Sequence, residues 1–135
     1  MPKSTKSSKK VVWETAPDIE KDVKKLVSSL GLSWVDKKRV FGFRSKNSKA
    51  KAYARIWGLS RVFQQALKTE PAYIIEVISE RFDGLSEDKK TQILLHELTH
   101  IPKTFSGSLL PHFKKGRFKF HDEVEELFAR YKRLK

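Results

Sequence analysis

The order of hydrophobic periods along this chain predicts an α+β fold in a single domain, and three observations carry that expectation. Stretches with apolar residues three and four apart alternate with shorter stretches of strand character, in the order helix, two strands, helix, strand, helix, loop, helix. The 135 residues are 39% hydrophobic and include nine Phe and three Trp, enough material for a core. No segment repeats, which argues against a solenoid.

Residues 1–10, MPKSTKSSKK, offer almost nothing to bury and read as a disordered basic tail, leaving 11–135 as the folded domain. From Ala16 the pattern turns helical. Pro17 suits a first turn, Asp18 places a carboxylate at the positive helix end, and Gly31 closes the run of Ile19, Val23, Leu26, Val27 and Leu30. KRVFGFRS (38–45) and AYARIWG (52–58) read as strands around the polar turn NSKAK. LSRVFQQALK (59–68) predicts a short helix begun at Ser60 and broken at Glu70-Pro71. AYIIEVIS (72–79) is the strongest strand signal, with Tyr73, Ile75 and Val77 on one face and Ile74, Glu76 and Ile78 on the other. Ser86 then caps the helix EDKKTQILLHELTH, which must end before Pro102. Residues 101–120 lack a period, and a last helix from about His121 to Leu134 turns Val124, Leu127, Phe128 and Tyr131 inward.

Composition narrows the chemistry. With no cysteine, any transition metal must be held by histidine and carboxylate. No secretory leader and no apolar run of membrane-spanning length is evident, so a cytoplasmic protein without membrane contact is expected. The formal net charge of +13 predicts attraction to polyanions, so DNA or RNA contact through a basic surface is a candidate property. No interleaving of aromatic and basic residues along the chain marks a base-stacking platform.

Three of the four histidines fall in LLHELTHIPKTFSGSLLPHF, residues 94–113. On a helix His96 and His100 project from one face, where two imidazoles can close on one zinc ion. Glu97 points about 100° further round. It therefore stands beside the metal, where it can take a proton from a water and return it to a leaving amine. Leu94, Leu95 and Leu98 bury the same helix, so the pair sits at the edge of a core. A catalytic site needs a third protein ligand. His112, after the turn-rich loop from Ile101 to Pro111, can fold back to supply it. His121 can reach the metal if the last helix docks beside the first, and Glu123, Glu125 or Glu126 are further options.

The linked segments HELTHIP, SG and LLPH resemble the putative phage metallopeptidase family, over about residues 52–131. The resemblance implies a small zincin-type domain: a short mixed sheet packed on an active-site helix, with a C-terminal helix. It implies Zn2+ as cofactor, a protein or peptide as substrate, His96 and His100 as ligands, Glu97 as the catalytic carboxylate and His112 as the third ligand. A wider similarity to SprT-like proteases, which act on DNA-bound proteins, points instead to His121, although no glycine follows it here. Taken together the motifs favour His112. In zincins generally the strand before the metal helix is often a sheet edge that holds the substrate. That places Tyr73, Ile75 and Val77 at an edge strand, where a peptide would add by backbone pairing. Tyr73, Arg117 and Tyr131 are candidates to stabilise the oxyanion. The competing reading is a nucleic-acid-associated basic module whose zinc is structural, with His121 joining His112 as a fourth protein ligand.

Overall fold

The computed structural model describes residues 9–112, 114, 115 and 118–134. Most of the tail and Arg117 therefore lie outside the described residues. The first element is one the periodicity does not announce: β1 (Val12–Thr15), whose four positions are all exposed. Helix α1 (Pro17–Leu30) follows, with Pro17 in its first turn and Gly31 in the left-handed conformation (φ 64°) at its end. A single 3-10 turn over Lys37–Arg39, capped by Asp36, leads into β2 (Val40–Lys46). Then come β3 (Ala54–Gly58), α2 (Arg61–Leu67) capped by Ser60, and β4 (Tyr73–Ile78). A helical turn α3 (Ser79–Phe82), α4 (Glu87–Leu98), the short strands β5 (Lys114–Lys115) and β6 (Phe118–Lys119), and α5 (Phe120–Leu134) complete the chain.

The four long strands form one mixed sheet in the order β1-β2-β4-β3. β4 runs parallel to β2 and antiparallel to β3, and β1 is antiparallel to β2. This corrects the expectation of an edge role for Tyr73, Ile75 and Val77. β4 is hydrogen-bonded on both sides, with Ile75 opposite Gly42 and Ile56, so no backbone edge remains there for a peptide. The physical reason is visible in the strand: both faces of an interior strand are covered, and its apolar run is nearly continuous. The edges are β1 and β3.

Helices lie on one face of the sheet. α1 is seated on β2, where Ala16 N–H donates to the Gly42 carbonyl (2.9 Å) and Gly42 N–H donates to Glu20 Oε2 (3.1 Å). Arg44 at the far end of β2 forks between Asp18 of α1 and Asp83 after α3, at 2.8 and 2.9 Å. Tyr73, Ile75 and Val77 meet Ile19, Val23, Leu26, Leu94, Leu95 and Leu98 in the core, and α5 closes it with Val124, Leu127 and Tyr131. Among the described residues no helix is long and apolar enough to cross a membrane.

Candidate metal centre

Helix α4 starts at Ser86, whose hydroxyl accepts from Lys89 N–H, with Glu87 and Asp88 in the first turn where the helix dipole favours them. Its end is tighter than the regular helix expected. The α-helix stops at Leu98, and His100 N–H and Ile101 N–H bond back only three residues, to the Glu97 and Leu98 carbonyls. His100 thus sits in the closing turn just beyond α4, while His96 lies within it.

The segment that follows is stitched back across the sheet. Gln64 of α2 donates to the Ser106 carbonyl (2.9 Å) and to Leu59 O (2.7 Å). The buried Tyr73 hydroxyl accepts from Gly107 N–H (2.8 Å) and donates to the Ser108 carbonyl (2.7 Å). A Cβ on Gly58 would lie 2.1 Å from the Gly107 carbonyl, so the loop can approach β3 this closely only because glycine stands at both positions. Leu110 and His100 then make a reciprocal pair: Leu110 N–H donates to His100 O (2.8 Å) and His100 Nδ1–H donates to Leu110 O (2.5 Å).

That pair does two things. It delivers His112 to the other histidines, and it fixes the proton of His100 on Nδ1, which leaves a lone pair on Nε2. His112 Nε2 lies 2.7 Å from His96 Nε2 and 3.0 Å from His100 Nε2. One ring nitrogen carries either one proton or one lone pair, so His112 Nε2 cannot make two directed hydrogen bonds. A shared cation would take all three lone pairs. The separations fall roughly 0.6 and 0.3 Å short of the roughly 3.3 Å between ligands of a tetrahedral ion with bonds of about 2.0–2.1 Å. Electrostatics favour the same role. Burial and the two neighbouring imidazoles push His96 down to about 4, and burial chiefly lowers His100, so both rings are neutral at neutral pH. His96, His100 and His112 form a group that could hold a metal ion.

Glu97, only 7% exposed, lines the adjoining cleft, and burial pushes its carboxyl up to about 7. The cleft, of about 600 Å³, is walled by Ala54 of β3, by Gln92 and Ile93 of α4, and by Val124 of α5. His121 also lines it but stays apart from the triad. Its side chain is 75% exposed and its Nε2 lies 3.3 Å from Glu125 Oε2. Glu123, Glu125 and Glu126 likewise stay outside the ligand group found among the described residues. Neither remaining oxyanion candidate among these residues opens on the cleft. The Tyr73 hydroxyl is engaged by the loop backbone, and Tyr131 faces a separate recess beside Asp22 and Asp88. What sequence reasoning missed is the anchoring of the loop by Gln64 and Tyr73. A buried tyrosine in an apolar strand needs a partner for its hydroxyl, and that was the available signal.

No curated protein and no solved structure matches the chain. A family model does: residues 11–133 match the one described as Putative phage metallopeptidase, and the chain belongs to that family.

Proposed function

We propose that the protein is a zinc-dependent peptidase in which His96, His100 and His112 hold the metal and Glu97 is the general base. The observation that carries this reading is the convergence of three ring nitrogens beside a cleft that a buried carboxylate, Glu97, also lines. Three imidazoles and no thiolate are a donor set typical of zinc with one position left open. A zinc ion so held supplies Lewis acidity and draws the pKa of water toward neutrality. Glu97, with its proton affinity raised by burial, accepts the proton of the attacking water and passes it to the departing amine. The cleft between β3, α4 and α5 gives a peptide room to lie against α4. With β4 interior, the strand edge beside that cleft is β3, where an extended substrate would add by backbone pairing.

The pairing of His121 with Glu125 speaks against a fourth protein ligand and hence against a purely structural zinc. Glu97→Gln is expected to keep about one zinc per chain and to lose hydrolysis of a peptide library by roughly 10²–10⁴-fold. His112→Ala is expected to lose the metal. If Glu97→Gln cut peptides as fast as the unsubstituted protein, the mechanism would be wrong.

A further inference from the structure

All three long helices pack on one face of the sheet; on the other, Ser45 and Ile78 are buried at one end, and the rest opens into a recess. That outer face is not polar. Trp13 of β1, Phe41 of β2 and Trp57 of β3 stand on it 55%, 36% and 48% exposed, with Phe43 and Ile74 between them. Together they line a recess of about 440 Å³. The exposed aromatics come from three strands and so are scattered in sequence, which is why no interleaved pattern showed along the chain. An apolar face this rich in aromatics marks a binding surface more often than bare solvent contact.

Its charge selects the occupant. The carboxylate belonging to this face, Glu76, is fully buried. It accepts from Arg55 Nε (2.9 Å) and Trp57 Nε1 (2.8 Å), and the Arg55 guanidinium in turn lies 5.1 Å from the Trp57 ring centre. The Trp57 ring is therefore held in place with a cation beside it. Exposed Lys9 and Lys10 lead into β1 and exposed Lys38 precedes β2, at opposite ends of the sheet, whereas Lys37 turns to the Ser28 hydroxyl of α1 (2.6 Å) on the helix side. The chain as a whole carries +13. A second copy bearing the same charge is repelled from such a face, and a bilayer is poorly matched by a recess, which has nothing to insert.

We propose that this outer sheet face binds single-stranded nucleic acid, with bases stacked on Trp13, Phe41 and Trp57 and phosphates drawn to the flanking lysines and Arg55. Trp57 lies in register with Phe41, while Trp13 lies opposite Ser45, four residues further along β2. The rings therefore follow a diagonal of roughly 20 Å (three interstrand steps of about 4.8 Å and about 13 Å along the strand), a reach that suits about three splayed bases. Base–aromatic stacking tolerates any sequence, so binding is sequence-indifferent, and its ionic part weakens with salt. The face lies across the sheet from the histidine cleft, so the proposal stands independently of the peptidase reading.

The experiment is a fluorescence-anisotropy titration of the full chain with a labelled single-stranded DNA of mixed sequence, repeated with its duplex at several salt concentrations. The single strand is expected to bind more tightly than the duplex and to quench tryptophan emission. Trp13→Ala and Phe41→Ala are each expected to weaken binding by about fivefold or more, without altering metal content or Tm, and with the salt slope unchanged. Trp13→Phe, which keeps an aromatic face, is expected to restore most of the affinity. Three results would overturn the proposal: equal affinity for duplex with no effect of Trp13→Ala, binding to phosphatidylserine vesicles but not to DNA, or self-association in sedimentation that Trp13→Ala abolishes.

Discussion

At the scale of single residues, the buried carboxylate of Glu97 opposes the stability of the fold that carries it. The carboxyl lines the cleft beside Ala54, Ile93 and Val124 at only 7% exposure, and burial raises its pKa from 4.5 to about 7. In metal-free protein the folded state thus holds this proton more tightly than the unfolded chain. The sign follows: the penalty is absent below about pH 4, grows as pH rises between 4.5 and 7, and is complete above. His96, lowered to about 4, acts in the other direction, its penalty growing as pH falls below 6.5. Glu97→Gln removes the first effect and leaves the second. In chelator-treated protein it is expected to stabilise the fold by up to about 3 kcal/mol near pH 8 and by almost nothing near pH 4. Thermal melts of the two proteins at both pH values check this; equal shifts at the two would show that Glu97 is not buried as a carboxylate. His96, Glu97 and His100 are legible in sequence because helix geometry alone fixes their relation. Spacing alone does not choose His112 over His121, since it gives the length of a loop and not its path; the resemblance of the LLPH segment to the family motif is what favours His112 in the sequence. The decisive contacts, Leu110 with His100 and Tyr73 with Gly107, join residues that no local pattern links.

At the scale of elements, the site depends on how firmly the segment from Ile101 to His112 is held against β3 and β4. It has no regular structure to supply rigidity, so its hydrogen bonds to Gln64 and Tyr73 do so instead. Tyr73→Phe keeps the ring and its edge contact with Phe105, 5.0 Å between centres, but removes both bonds to the loop backbone. Metal affinity is expected to fall about tenfold or more, as when the partners that orient metal ligands are lost. Competition with a chromogenic chelator measures it, and unchanged affinity would show that the loop is positioned without Tyr73. Gly107→Ala should be harsher, because φ is +97° there and the new Cβ would lie 2.2 Å from Leu59 O. Strand identity was readable here but strand order was not. The run YIIEVI announces a strand with both faces covered, yet its neighbours are set by contacts far away in the chain. β1 escaped notice because a short edge strand exposed at every position carries no alternation.

At the scale of the whole molecule, a metal held by the three histidines would tie together parts of the fold that meet only in the native state. His96 comes from α4, His100 from the turn that ends it, and His112 from the far end of a loop that crosses β3 and β4. An unfolded chain cannot present this set, so a metal bound there would stabilise the native state by mass action, by about 2.7 kcal/mol at a hundredfold excess over Kd. For a domain of this size that is a rise in Tm on the order of 10 °C. Net charge complicates the reading, because a chain at +13 is strained by self-repulsion and any added salt relieves part of it. The two effects separate by their dependence on one side chain. His112 is exposed at the end of its loop, so His112→Ala should leave the metal-free Tm and its rise with sodium chloride unchanged. The same substitution should abolish the rise with zinc at constant ionic strength. Were zinc to stabilise His112→Ala as much as the unsubstituted protein, the ion would be binding elsewhere on the surface, and the three-histidine centre would lose its claim to hold it.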